Sequence, residues 1–506
     1  MTASSHASFD RAYPDESSPG EAGSGGFAHY ELDARFYDET FRGDGSLRGV
    51  SRRLGTALSK AVPEELAQLQ EGVARRFIHE GITFTVIGAD KASEQIIPID
   101  CVPRLLTAGE WDHIDRGLRQ RLTALNLFLG DIYGDGKSLR DGIVPPDLVL
   151  GCPQYRVEMR GLQVPNDIYV AVCGTDVVRT HDGFAVLEDN LRVPSGVSYM
   201  LACRAAMKQA LPRLYRAHNV REIARYPEQL YATLASLGSW AGAPRVAVLT
   251  PGRYNSAYYE HAFLAGEMGA ELVEGRDLVV HDGIVYARTV TGLRRIDVIY
   301  RRVDDDFLDP VTFRSDSLLG VPGLFHAYRA GNVVIANAPG TGVADDKAVY
   351  AYVPDLIRYF LDEEPILANV DTHLCRTREG LAYTLDNLED LVVKEVGGSG
   401  GYGMLVGPHS TAGERKRFAA RLRSHPENFI SQPVLDLSRA TCFVEGNLEP
   451  RHVDVRPFVL RGRSDTWIAP GGLCRVALRR GGLVVNSSQG GGCKDLWVLR
   501  DGGAPD

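Results

Sequence analysis

The feature that most constrains this chain is the order of parts in residues 392–404, Val-Val-Lys-Glu-Val-Gly-Gly-Ser-Gly-Gly-Tyr-Gly-Met. Lys394 ends an apolar run, and a loop of Gly397, Gly398, Ser399, Gly400, Gly401, Tyr402 and Gly403 follows it. Glycines let backbone N–H groups crowd around an anion, and a strand-borne ammonium can neutralise it, so a nucleotide polyphosphate is the fitting ligand. A P-loop carries its lysine after the glycines and then opens a helix. Protein kinases also place the glycine loop first and the lysine later. Here the lysine comes first, which excludes both. Met404-Leu-Val-Gly407 reads as a second short strand, so the loop is expected to top a hairpin and close over phosphates as a lid.

At 506 residues the chain has room for about two to four domains. Its 44% apolar and 24% charged content is that of an ordinary globular protein. A net charge of −9 and the lack of a dense Lys/Arg block argue against nucleic acid as a partner. The eight cysteines are scattered with no C-x-x-C pair, which suits reduced thiols better than a disulfide or zinc framework. No apolar run approaches about 18 residues and the N-terminus lacks a basic-then-apolar pattern, so no membrane segment is expected and a cytoplasmic location is.

Residues 1–28, rich in Ser, Gly, Ala and Asp, are expected to be disordered. Pro63-Glu-Glu opens a helix through Glu80, with proline in the first turn and acids at the positive end. Residues 109–133 carry the clearest helical stripe: Trp111, Ile114, Leu118, Leu122, Leu125, Leu129 and Ile132, a packing face with no chemistry assigned. Strand signals follow at 168–173 and 184–188, then a helical segment over 197–238. From Arg245 strands and helices alternate, which predicts a small βαβ domain over 241–340. The expected division is a tail (1–28), an N-terminal helical region with part of a catalytic sheet (29–240), the βαβ domain (241–340) and a lid with the remaining strands (341–500).

Asp176, Glu188 and Asn190 form a second constellation. Phe184–Asn190 is a strand, so Glu188 and Asn190 share a face. A three-residue loop over His181–Gly183 would set Asp176 opposite Glu188, with Cβ atoms about 5 Å apart. Three oxygen-bearing side chains converging from a hairpin suit Mg²⁺, although acids and amides on strands also line solvated faces. A third run holds Asp454 and Arg456 on one strand face, then Arg475, then the polar glycine-rich loop Asn486–Gly492. Arg475 offers a planar fork for phosphate or carboxylate, and a salt-bridged strand pair is the plainer alternative.

Taken together, Val186-Leu-Glu-Asp-Asn-Leu-Arg-Val-Pro-Ser-Gly-Val-Ser-Tyr-Met200, Thr250-Pro-Gly-Arg-Tyr-Asn-Ser-Ala-Tyr-Tyr-Glu-His261, Tyr300–Pro310, Gly340-Thr-Gly-Val-Ala-Asp-Asp-Lys347, the Lys394 loop and Asn486–Gly492 resemble the circularly permuted ATP-grasp proteins. These are related in arrangement to glutathionylspermidine synthetase, and the resemblance covers about residues 80–498. It implies an α/β and α+β multidomain fold, a permuted ATP-grasp with a βαβ pre-ATP-grasp-like domain. Permutation explains why Glu188 and Asn190 precede Lys394.

By that resemblance Lys394 and Lys347 would contact ATP phosphates, with the loop from Gly397 to Gly403 closing over them. Phe429-Ile-Ser-Gln432-Pro433 would stand at the inter-lobe hinge, whose backbone meets adenine. Asp176, Glu188 and Asn190 would hold Mg²⁺, and Arg456 and Arg475 would face the transferring phosphoryl group. Arg192, Ser195, Asn255, Ser256, Glu260 and Arg301 are placed to meet a substrate, although caps, turns and salt bridges explain them almost as well. No single residue stands out as the base for the attacking group.

The implied chemistry is an ATP- and Mg²⁺-dependent ligase that joins a carboxylate to an amine or thiol through an acyl phosphate, on a peptide or amino-acid-derived substrate. A kinase-like phosphotransferase would use the same nucleotide site, and a non-catalytic ATP-binding subunit is a third reading. Relatives occur with helical partner domains and transglutaminase-like proteases, which makes these the expected protein partners.

Overall fold

The computed structural model describes residues 21–500 apart from 88–91, 254, 399–402, 483–484 and 486–490. Residues 1–20, the loop residues Ser399, Gly400, Gly401 and Tyr402, and Asn486–Gly490 of the C-terminal loop therefore lie outside the described residues.

The fold is mixed α/β. Its centre is an eight-stranded sheet in the spatial order Ala368–Asn369, Gly183–Asn190, Val172–Thr180, Asn447–Arg461, Thr466–Val476, Gly492–Val498 and Ile99–Leu106, with Arg439–Val444 paired onto Asn447–Arg461. Strands far apart in the chain lie side by side: Val177 pairs with Val455, and Gly174 with Phe458. Candidate residues far apart in sequence thus become neighbours on one surface.

Helix Ala108–Tyr133 packs on this sheet. Thr107 accepts from the Glu110 amide at 3.2 Å while the Glu110 carboxylate accepts from the Thr107 amide at 2.8 Å, a reciprocal cap that fixes the start. All seven residues of its apolar stripe are buried. Gly117 lets Leu367 come close, since a Cβ there would lie 2.4 Å from Leu367 Cγ. Within the interface Arg121 donates to Asp189 at 2.8 Å, a buried ion pair that orients helix on strand.

A second sheet is parallel and four-stranded, in the order Val334–Ala336, Val298–Arg301, Val246–Leu249 and Glu271–Val273. Helix Tyr258–Met268 connects two of these strands and ends on Gly269 at φ +63°, where a glycine carries the left-handed turn. A third, four-stranded sheet carries the lysine strand. Leu391–Glu395 is flanked by Leu405–Val406 and Phe429–Pro433, and His373–Leu374 pairs with the latter. Val392 pairs antiparallel with Val406, so the glycine loop does top a hairpin.

Three expectations change. Phe27, near the end of the stretch read as disordered, is fully buried with its ring centroid 4.9 Å from that of Phe41, so aromatic packing anchors residues 21–28 of it. The helical segment over 197–238 is three helices, Val197–Ala210, Pro212–Ala217 and Tyr226–Ser236, with Pro212 opening the second. Phe429–Pro433 is a strand; the stretch outside any strand that joins the lid sheet to the large sheet comes after it, at 434–438. All eight cysteines are buried and unbridged. Among the described residues no helix is long and apolar enough to cross a membrane.

Candidate active site

Asp176 pairs directly with Glu188, but not through the loop length expected. The turn is tighter, with Thr180 opposite Gly183 and only His181 and Asp182 between them. The missing residue reappears as a bulge: Val177 pairs with Val186 and Asp176 with Glu188, which leaves Leu187 extra. The bulge also resets which way side chains point. Val186 and Asp189, three apart, are buried beneath helix Ala108–Tyr133. Glu188 instead meets Lys347 at 3.5 Å and Arg456 at 3.8 Å on the other face.

A row of charges crosses the sheet from Glu188. Asp176 is 1% exposed and receives Arg456 Nε at 2.5 Å and Nη2 at 2.9 Å, a two-pronged contact. Arg475 Nη2 reaches the same carboxylate at 2.6 Å, and its Nε donates to Asp454 at 2.9 Å. Asp454 and Arg475 are direct cross-strand partners, so strand register alone brings them together. Gly174 matters here: a Cβ would lie 3.2 Å from Arg456 Cδ, so the guanidinium arm rests on bare backbone. Burial alone would raise the Asp176 carboxyl; Arg456 and Arg475 override it and hold the group well below the usual carboxylate range. Asp454 goes the other way, raised by burial that Arg475 only partly offsets.

The lysines approach from the lid side. Lys347 opens the short helix Lys347–Tyr350, capped by Asp346, and its backbone N–H donates to Val396 O at 3.1 Å while Nζ donates to Gly398 O at 2.5 Å. The root of the glycine loop is therefore stitched to Lys347. Lys394 donates to Gln432 Oε1 at 2.7 Å across the paired strands. Burial pushes the Lys394 ammonium down to about 8; Glu188 opposes that fall, Lys347 deepens it and Asp176 opposes it.

Two carboxylates here are neutralised internally, while Glu188 is the open one, with its side chain 28% exposed. Asn190 donates its amide nitrogen to Gly174 O at 3.0 Å, which turns the amide oxygen away from that contact. Among the described residues no three His, Cys, Asp or Glu side chains are set to hold a metal by themselves. Glu188 and the Asn190 oxygen nonetheless fit a hard cation of the Mg²⁺ kind, which takes few protein oxygens and completes its shell with substrate phosphates and water. Asp176 is an arginine anchor first, since both of its oxygens already accept guanidinium N–H groups. Arg456 and Arg475 are correspondingly engaged by Asp176 and Asp454, with Arg456 Nη1 also on Ser195 O at 3.3 Å.

The expected substrate contacts separate into two groups. Arg192, half-buried, donates to Asp345 at 2.7 Å and lies 3.5 Å from Asp304, next to the end of the Glu188 strand. Ser195 and Ser256 are half-buried, and Asn255 caps its own turn by accepting from Ala257 N at 2.9 Å. Glu260 and Arg301 are corrected: both are fully buried. Glu260 accepts from the amides of Gly196 (2.8 Å) and Ser198 (3.0 Å). Arg301 donates to the carbonyls of Asn337 and Ala338 and pairs with Asp305 at 2.7 Å. Neither has surface left for a ligand. Nothing in the sequence marks Thr372, which receives Gln432 Nε2 at 3.0 Å, whereas the plainer expectation for the third run, a salt-bridged strand pair, is met by Asp454 and Arg475. The alternation of Asp454 with Arg456 was visible, but the register that pairs Asp454 with Arg475 was not.

Comparison with known proteins agrees with this architecture. Residues 103–477 match the circularly permuted ATP-grasp type 2 family. An uncharacterized Synechocystis protein is 51% identical over 92% of this chain and 97% of its own length. An uncharacterized Mycobacterium tuberculosis protein is 47% identical over 95% of this chain and 87% of its own length. A Frankia alni protein provisionally named a glutamate–cysteine ligase is 41% identical over 92% of this chain, which spans 54% of that longer protein. A solved glutathione synthetase-like effector from Globodera pallida, in its apo form, is alike in fold, with a TM-score of 0.55 at 11% identity over 87% of this chain and 98% of that one. The chain belongs to the circularly permuted ATP-grasp type 2 family.

Proposed function

We propose that this chain is an ATP- and Mg²⁺-dependent ligase that joins a carboxylate to an amine or thiol through an acyl phosphate, on a peptide or amino-acid-derived substrate. The observation that carries the reading is the convergence of Lys347 on Glu188 at 3.5 Å, with Lys394 on the adjoining lid strand and the guanidinium of Arg456 3.8 Å from the same carboxylate. Cations from three separate elements gather about one open carboxylate, two of them within 4 Å of it, a setting suited to polyanionic phosphates. The provisional glutamate–cysteine ligase name of the Frankia relative points the same way, although that name belongs to a longer protein of which this chain spans 54%.

In this reading the substrate carboxylate oxygen attacks the γ-phosphorus, the bond to the β-phosphate oxygen breaks and ADP leaves. The amine or thiol then attacks the acyl carbon, the acyl carbon–oxygen bond breaks, and phosphate departs with the oxygen and its electron pair and takes up the proton that the acceptor loses. Lys394 and Lys347 bind and orient the triphosphate, which places donors where charge gathers. Bound Mg²⁺, held by Glu188 and Asn190, would supply charge neutralisation at the phosphate oxygens. Arg456 and Arg475 keep Asp176 ionised and rigid behind Glu188. The glycine loop rooted at Gly397 and Gly398 excludes water from the acyl phosphate.

The test is nucleotide turnover with Mg²⁺, ATP and a pool of amino acids, short peptides and polyamines, with Glu188→Gln as control. ADP and phosphate released only with the pool, and only by the unaltered protein, support ligation. A stable phosphorylated product without an acceptor would favour the phosphotransferase. ATP bound but never consumed would favour a subunit that works with a helical-domain protein or a transglutaminase-like protease.

A further inference from the structure

Among the described residues Lys394 reaches no carboxylate directly; it donates to Gln432 Oε1 at 2.7 Å. An ammonium can only donate, so the Gln432 oxygen must face Lys394 and the Gln432 NH₂ must face the other way. There it meets Thr372 Oγ1 at 3.0 Å. Thr372 in turn lies 2.8 Å from Val370 O, a carbonyl that can only accept. Every hydrogen in this chain therefore has one direction: Lys394 to Gln432, Gln432 to Thr372, Thr372 to Val370 O. Gln432 is 2% exposed, so water does not substitute for a lost partner. An amide in this position has two orientations of nearly equal shape. Only one presents an acceptor to the lysine; the flipped one would aim N–H groups at an ammonium.

We propose that Thr372 is a positioning residue for the nucleotide site: its hydroxyl selects the orientation of Gln432 that holds Lys394 in place. This rests on the reading of Lys394 as a phosphate contact. Thr372 sits on the short link between Ala368–Asn369, on the edge of the large sheet, and His373–Leu374, in the lid sheet. It thus ties the aim of a lid lysine to a segment that also belongs to the catalytic sheet.

Thr372→Val keeps the shape and removes the hydroxyl; Thr372→Ser keeps the hydroxyl and loses a methyl. With Mg²⁺ and ADP as the calorimetric probe, Thr372→Val is expected to weaken binding about tenfold, since a hydrogen bond to a charged group is at stake, and Thr372→Ser to stay within about twofold. Combining Thr372→Val with Gln432→Leu should cost no more than Gln432→Leu alone, because the hydroxyl acts only through the amide. Equal, full loss on top of Gln432→Leu, or an unchanged Thr372→Val, would overturn the role of Thr372 while leaving the nucleotide site standing. An unaltered protein that binds no ADP would overturn the nucleotide reading and this inference with it.

Discussion

Asp176 and Glu188 are direct cross-strand partners with opposite fates. Asp176 is sealed at 1% exposure beneath two guanidinium groups, whereas Glu188 stands open and faces Lys347. One strand pair thus supplies both a sealed anchor and an open carboxylate. The bulge at Leu187 makes this possible, because it turns Glu188 toward the lysines while the neighbouring Asp189 stays under the helix.

Glu188→Gln should remove turnover and leave the fold intact. The substitution keeps shape and a neutral oxygen but deletes the charge that a divalent ion and Lys347 both need. Loss of one such group costs about 10²–10³ in rate, and Lys394→Ala should do the same. Steady-state ADP release, read beside thermal unfolding, checks this; near-full activity in either variant would refute the site.

Arg475→Met should instead unfold the protein more easily. It leaves the Asp454 carboxylate, 1% exposed, without its guanidinium, and Asp176 with one arginine in place of two. Breaking a buried pair from one side costs about 3–5 kcal/mol. Removing Asp454 as well should recover part of the loss, since no buried charge is then stranded. Urea unfolding of the two single variants and the double variant measures the difference.

The pairing of Asp176 with Glu188 was legible because hairpin spacing constrains register, yet the route to it was not. A shorter turn plus a bulge reaches the same alignment, and no residue in Phe184–Asn190 announces the bulge. The stripe from Trp111 to Ile132 was legible outright, because helical period is a property of the segment alone. Glu260 and Arg301 show what a sequence hides: a polar residue on a helix or strand looks the same whether water, a substrate or a buried amide will satisfy it. Thr372 was invisible for a related reason, since its importance lies in which neighbour it faces.

Nucleotide affinity should depend on pH through Lys394. Its ammonium titrates near 8, and the charged form is the one that binds phosphate. Affinity for ADP should therefore be nearly full below about pH 7, start to fall as pH approaches about 8, and drop towards tenfold per unit above that as the neutral amine takes over. Bound phosphate favours the proton, so the midpoint in the complex lies higher than in the free protein. Calorimetry from pH 6.5 to 9.5 tests this, with Lys394→Met expected to bind weakly with a flattened profile. A flat profile in the unaltered protein would contradict the assignment.

Glu260 and Arg192 should part company in the same assay. Glu260 accepts from Gly196 N, Ser198 N and the Ser198 hydroxyl, and lies 3.5 Å from Arg302. Glu260→Ala strands these donors in the interior and leaves Arg302 without its buried carboxylate, so a loss of about 3–5 kcal/mol is expected. KM for whatever substrate the pool reveals should barely move, because no part of Glu260 reaches solvent. Arg192 is half-buried just past the Glu188 strand, with Asp345 at 2.7 Å and the exposed Asp304 at 3.5 Å, so Arg192→Met should raise KM and cost less stability than Glu260→Ala, whose partners are all buried. The reverse pattern, a stable Glu260→Ala with a raised KM, would mean that the carboxylate leaves its amides to meet the substrate.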